Sequence, residues 1–278
     1  MAIFFSRRTT NQILLHTVLL AGCFIFMLPF FWMLSTSLKS DAEMFSSAWI
    51  PDPVQWSNYT EALSAIPFLL YLKNTLLITA WSIIGTVFSS AAVGYSFARV
   101  RWPGRDLMFG ITLATMMIPP QVTMVPVFML MRSLGWFNTF LPLVIPSFLG
   151  GSAFFIFLMR QFFMTLPVDL EDAARVDGCG ILKTFWVIML PQVKPALATV
   201  GIFTFMASWN DFMGPLIYLA EEDKYTLALG LQSFLTENLA VWNQLMAFST
   251  VLLIPLLILF FIAQKYFIEG IALTGIKG

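Results

Sequence analysis

Six stretches of the sequence, 12–36, 74–98, 107–131, 138–159, 193–219 and 241–264, are each long and apolar enough to cross a bilayer. Crossing the hydrocarbon core takes a helix of about 20 such residues. In lipid no water can satisfy a backbone N–H or C=O, so each stretch has to close its own hydrogen bonds as a helix. The expected fold is all-α: a polytopic membrane protein of six transmembrane helices, in one transmembrane domain spanning 1–278. Composition agrees, with 59% hydrophobic and 11% charged residues against roughly half and about a quarter in soluble domains. The first stretch follows Arg7 and Arg8 as a signal peptide would. Its apolar run from Ile13 to Leu34 exceeds the usual h-region of about 7–15 residues and has no A-x-A-like cleavage site, so a retained helix is expected.

Formal net charge is zero, so the total says nothing of partners, and no nucleic-acid partner is expected. The distribution is informative. With the N-terminus inside, eleven of the 15 basic residues are cytoplasmic: Arg7, Arg8, Arg99, Arg101, Arg105, Arg160, Arg175, Lys183, Lys194, Lys265 and Lys277. The outer segments carry only Lys39, Lys73, Arg132 and Lys224. This asymmetry fits the positive-inside rule and puts both termini in the cytoplasm. The acidic cluster Glu221, Glu222, Asp223 then lies outside. Cys23 falls in the first helix and Cys179 in a cytoplasmic loop, so no disulfide is expected.

Prolines at 29, 119, 120, 126, 142, 146, 215 and 255 fall inside the apolar stretches and predict kinks. The outer segment Lys39–Tyr71, with Trp49, Trp56 and Tyr59, suits the membrane interface. The turn Arg99–Asp106 reads as a Pro-Gly turn and a topology determinant, with no further role.

The longest cytoplasmic connection, 166–191, reads as two short helices and not as a linker. Asp169 is placed to cap the first, with Glu171 and Asp172 in a first turn favoured by the helix dipole and Glu171 reaching Arg175 at i+4. Ala173 and Ala174 leave a smooth surface, and Asp177-Gly178 breaks the helix. Ile181–Leu190 forms a second, more apolar helix that Pro191 ends.

The segment Glu171-Asp-Ala-Ala-Arg-Val-Asp-Gly178, followed by Ile188-Met-Leu-Pro191, resembles the signature of the integral membrane subunits of binding-protein-dependent ABC importers. That signature is E-A-A, then G three residues later, then I-x-L-P. It departs from the pattern at Asp172, where an alanine is usual. The resemblance implies an ABC type I importer permease fold, with this loop as the coupling helix that docks on a cytoplasmic ATPase. It assigns polar docking to Glu171, close approach to Ala173 and Ala174 and the bend to Gly178, and places Asp172, Arg175, Asp177 and Pro191 in the same coupling segment.

The likeness extends along nearly the whole chain to the maltose-type carbohydrate-uptake permeases. It is carried by Ile118–Val122 and Leu134–Thr139, by Trp209-Asn-Asp-Phe212 with Pro215-Leu216, and by the tail Gly270–Gly278. In that family a glycine-rich tail (here 267–278, with Gly275, Lys277 and Gly278) reaches between the ATPase subunits, which implies the smaller permease role. Trp209, Asn210 and Asp211 offer stacking and hydrogen-bonding groups for a hydroxylated solute in the translocation pathway, or else fix packing or an outer gate.

The implied partners are a second homologous permease, two ATPase subunits, an extracytoplasmic solute-binding protein and the lipid of a bacterial inner membrane. The expected function is import of a sugar or sugar-like solute, with glycerol-phosphate as the alternative. No cofactor or metal is expected on this chain, because ATP and Mg belong to the ATPases. The run Gly178–Thr184 lacks the contiguous G-K-[ST] of a phosphate-binding loop. An enzyme is not expected either: no H-E-x-x-H or G-x-S-x-G occurs, and His16 is the only histidine. An ion-coupled secondary transporter would favour mid-membrane carboxylates and internal repeats, whereas the acids here lie mostly in loops.

Overall fold

A computed structural model describes residues 7–44, 46–235 and 241–275. Its main elements are α1 (Arg7–Ser37), α2 (Ser57–Ser64), α3 (Phe68–Arg99), α4 (Arg105–Thr115), α5 (Pro120–Ser133), α6 (Leu141–Phe148) and α7 (Ala153–Thr165). They continue with α8 (Asp169–Val176), α9 (Ile181–Lys183), a π-helical turn (Thr184–Met189), α10 (Leu190–Gln192), α11 (Lys194–Trp209), α12 (Met213–Tyr218), α13 (Leu227–Gly230) and α14 (Trp242–Gly275). Two compact units result: the smaller holds residues up to Pro67 with Leu231–Ile254, the larger Phe68–Gly230 with the chain from Pro255 onward.

Four helical stretches among the described residues are long and apolar enough to cross a membrane: Asn11–Ser37, Phe68–Arg99, Leu141–Thr165 and Trp242–Gln264. Two further pairs, Arg105–Thr115 with Pro120–Ser133 and Ile181–Gln192 with Lys194–Trp209, pass the same test only together, being bent by 101° and 80°. The expected stretches 107–131 and 193–219 are therefore not continuous helices. The first breaks because Pro119 lacks an N–H and the residue before a proline is pushed out of the α region. Pro119 is itself extended (φ −60°, ψ 133°) ahead of Pro120, and Pro120 restarts the helix at its first position, where a missing N–H costs nothing. The other stretch ends at Trp209, well short of 219.

In the smaller unit, the end of α1 is tied to α2 through Asn58, whose Nδ2 donates to the carbonyls of Ser37 and Lys39, both at 2.9 Å. Asn243 at the start of α14 donates to Asp41 at 2.8 Å. The apolar window of α1 has none of its residues buried, which suits a helix whose neighbour is lipid.

The larger unit is built around α3. Its buried positions Asn74, Thr75, Ile78, Thr79, Ser82, Gly85, Thr86, Ser89, Ala91, Gly94 and Tyr95 recur at helical spacing on one face, and most are small or hydroxylated. Between helices in lipid there is no water to expel, so close backbone approach takes over from apolar burial as the packing force. Ser89 donates to the Ser147 carbonyl of α6 at 2.8 Å; further along, Gly94 abuts Met159 and Arg99 reaches Phe163, so α3 and α7 run parallel. Against α11 the order reverses: Thr79 meets Ser208, and Gly201 faces Ile83 and Val87. At the far end of α3, Tyr95, Met159, Phe163, Phe185, Met189 and Val200 close a packed core. At its start, Asn74 donates to the carbonyls of Asp223 and Tyr225, and Thr75 accepts from the Leu227 N–H at 2.9 Å.

Candidate functional site

The segment 166–191 folds as a knob on the end of the larger unit. Its first helix, α8, has Val168 at the cap position with no side-chain cap, and the N–H groups of Glu171 and Asp172 both donate to the Val168 carbonyl. Asp169 is thus the first helical residue and not the cap. Its charge still opposes the dipole, with Glu171 and Asp172 beside it.

Glu171 does not reach Arg175. Arg175 bonds Asp172 instead, at 3.3 Å one turn away, because Glu171 and Ala174 share the face turned into the bundle. Glu171 is 6% exposed and Ala174 1%, while Asp172, Ala173, Arg175 and Asp177 face outward. Of the two alanines, only Ala173 is presented to an external surface.

Gly178 ends α8 as the sequence suggests. At φ +73° it adopts the left-handed conformation that disfavours a Cβ. The Gly178 N–H then donates to Arg175 O at 3.0 Å and the Cys179 N–H to Ala174 O at 2.8 Å, the paired bonds of a Schellman end. Pro191 behaves otherwise than expected. It lies inside a helical run to Gln192, preceded by a wide π-turn in which the Leu190 N–H reaches Phe185 O. The widened turn accommodates a ring that a regular α-helix would exclude. The break comes at Val193 (φ −105°, ψ 22°), just before Lys194-Pro195 open α11.

Around the outward charges the knob exposes apolar side chains that the sequence reading did not single out: Val168 (57%), Val176 (87%), Ile181 (60%) and Leu182 (76%). Their signal is present in the sequence, as apolar residues flanking the Gly178 turn.

A second feature is a cleft of about 380 Å³ between α3, α6, α7 and α11. Its polar lining is Ser82, Thr86, Ser147, Ser152, Thr204, Ser208 and Asp211. Of the triplet expected in the pathway, only Asp211 lines it. Trp209 is buried and stacked on Phe205, with ring centroids 5.3 Å apart, and Asn210 donates back to Met206 O of its own helix at 2.7 Å. Asp211 Oδ1 accepts from the Gly214 N–H at 3.0 Å, which tethers the turn into α12. Two of the hydroxyls, Ser82 and Thr86, belong to a run of Ser and Thr recurring every three or four residues along α3; the other four come from α6, the start of α7 and α11, and no such run marks them. Of the tail residues, Gly275 is the last residue of α14, and Lys277 and Gly278 lie outside the described residues.

Helices broken around a hydroxyl-lined cleft, with an exposed knob hung from their ends, define a membrane transport subunit. The chain belongs to the family of binding-protein-dependent transport system inner membrane components, whose model matches residues 90–272. It is a multi-pass permease component of an ABC importer and not an enzyme; ATP hydrolysis belongs to separate ATPase subunits.

The chain is 32% identical over 259 residues to the arabinooligosaccharides transport system permease protein AraQ of Bacillus subtilis, covering 91% of this chain and 92% of that one. It is 30% identical over 270 residues to the sn-glycerol-3-phosphate transport system permease protein UgpE of Yersinia pestis, covering 94% and 95%. Among solved structures it is similar to a chain of a bacterial ABC transporter that imports the acidic polysaccharide alginate. That match has a TM-score of 0.81 at 26% identity and covers 96% of this chain and all of the other.

Proposed function

We propose that this chain forms, with a second homologous permease, the inner-membrane pathway for an uncharged, hydroxyl-rich solute of the oligosaccharide class. Each bent pair counts as one span, giving six with both termini cytoplasmic, and the knob at 166–191 docks on one of two ATPase subunits. An extracytoplasmic binding protein delivers the solute. ATP binding closes the ATPase pair, the knob carries that closure into the helices, and the cleft reopens inward after hydrolysis.

The observation that carries this reading is the knob: a short helix exposing Asp172, Ala173 and Arg175 beside Val176, Ile181 and Leu182. Exposed apolar side chains rimmed by charge are the surface of a docking site. The solute class is supported by the cleft, whose lining combines six hydroxyls with one carboxylate and contains no lysine or arginine. Hydroxyls exchange hydrogen bonds with a polyol in either direction, whereas a phosphate or uronate would meet Asp211 with no cation beside it.

Co-expression with the neighbouring transport genes tests the reading. The expected result is a detergent-stable complex with an ATPase pair and a second permease, taking up neutral oligosaccharides and not sn-glycerol-3-phosphate or alginate oligomers. Failure to bring down an ATPase sinks the permease assignment, and uptake of the anions alone sinks the solute class.

A further inference from the structure

Arg99 is the last residue of α3 and, with its side chain 8% exposed, is buried beneath the knob. Its guanidinium donates from Nε and Nη2 to the carbonyl of Phe163, at 2.9 and 2.7 Å, and from Nη2 to the carbonyl of Leu166. Those two oxygens lie at the C-terminal end of α7, in its last turn and its cap residue, where a helix runs out of N–H donors of its own; Phe163 O also accepts from the Leu166 N–H at 3.3 Å. Because α3 and α7 run parallel, their negative dipole ends fall side by side, and a cation there answers both. Arg160 makes the reciprocal contact, its Nε donating to Phe97 O of α3 at 3.4 Å.

The same guanidinium stands 4.0 Å from Glu171 Oε1 on α8, an oxygen that is buried and has no hydrogen-bond partner among the described residues. The Tyr95 side chain of α3 adjoins that carboxylate. Three helix ends therefore meet at one side chain.

We propose that Arg99 is the positioning residue that makes the coupling knob move as one body with α3; this rests on the permease reading above. A push on α8 reaches α7 through the chain itself, since only Leu166–Val168 separate them. Its link to α3, which supplies Ser82 and Thr86 to the cleft wall, runs through side-chain contacts: the packed core around Tyr95 and Arg99. The Arg99 fork is the directional part of that link, because a planar guanidinium fixes the directions of several donors at once, which a lysine ammonium does not. Glu171, at the head of the segment Glu171–Gly178, thereby serves inside the chain, while Asp172, Ala173 and Arg175 face outward.

The test uses the full complex in proteoliposomes. Arg99→Gln is expected to keep the ATPase pair at wild-type stoichiometry and the KM for ATP unchanged. Solute-stimulated hydrolysis and uptake are expected to fall about tenfold, within the usual range of a coupling effect. Arg99→Lys is expected to lose coupling to a smaller extent, and it carries the test if the glutamine variant does not accumulate. The exchange Arg99→Glu with Glu171→Arg is expected not to restore coupling, because the α7 carbonyls then lose their donors.

Wild-type stimulation in both single variants overturns the proposal. So does rescue by the exchange, which reduces the contact to a simple ion pair, and so does loss of the ATPase pair from Arg99→Gln, which makes the residue a docking contact. Failure of the wild-type chain to recruit an ATPase tells instead against the permease reading.

Discussion

The backbone of Gly94 lies directly against Met159: a Cβ on Gly94 would stand 2.7 Å from the Met159 Cβ and 3.0 Å from the Arg160 nitrogen. Both obstacles are fixed parts of α7, so the two helices would have to separate. Gly94→Ala should cost about 1–3 kcal/mol by overpacking and lower the melting temperature of the detergent-solubilised protein. Gly201→Ala serves as control, since its Cβ would meet Ile83 and Val87 at an ordinary 3.8 Å.

Asn138 holds the segment after α12 in place. Its Oδ1 accepts from the N–H groups of Ala220 and Glu221 at 3.1 and 3.2 Å, and its own N–H donates to Tyr218 O at 2.8 Å from a left-handed φ of 59°. Asn138→Ala removes the acceptor and strains the backbone, an expected loss of about 1–3 kcal/mol. Hydrogen exchange across 218–225 should rise, and Asn138→Asp, which keeps the acceptor, should leave it near the wild-type rate.

Neighbouring acids on α8 should respond differently to the same change. Asp172→Lys alters an exposed side chain paired, among the described residues, with Arg175 alone, so its effect on stability should stay within about 0.5 kcal/mol. Glu171→Lys places a second cation beside buried Arg99 and should destabilise the knob by on the order of 3 kcal/mol or more. Limited proteolysis between residues 166 and 191 separates the two, and equal cleavage rates would contradict the inward placement of Glu171.

At Gly178, φ of +73° makes any Cβ unfavourable. Gly178→Ala should cost about 1–2 kcal/mol and loosen the end of α8, whereas Gly178→Pro also deletes the N–H that bonds Arg175 O. Solute-stimulated ATP hydrolysis should drop in the order wild type, alanine, proline, with membrane insertion equal in all three.

Local features of this fold were legible in the sequence because their causes act within a few residues. The Asp177-Gly178 end of α8 follows from the steric freedom of one glycine; at Pro119-Pro120 the two missing N–H groups predict a kink, and the structure makes it a full break of 101°. Pro191 misled for a related reason: a proline announces the loss of one hydrogen bond, but whether the helix stops or widens into a π-turn depends on how Phe185 and Met189 pack into the core around Tyr95.

The triplet Trp209-Asn210-Asp211 reads as one unit in the sequence, yet its members point three ways, into the core, back along α11 and into the cleft. Composition cannot divide them, because the direction of each side chain at a helix end is set by where that helix stops.

What the sequence determined alone is that this chain spans a membrane with helices and carries a segment, 171–191, that resembles the importer-permease signature, since apolar length and short-range spacing are properties of a segment by itself. Only the tertiary structure decided that Glu171 turns inward and that Arg99, an apparent topology charge, sits where α3, α7 and α8 meet. Those placements depend on helix ends far apart in the chain being packed together, where buried carbonyls need a donor and a buried carboxylate needs a cation nearby.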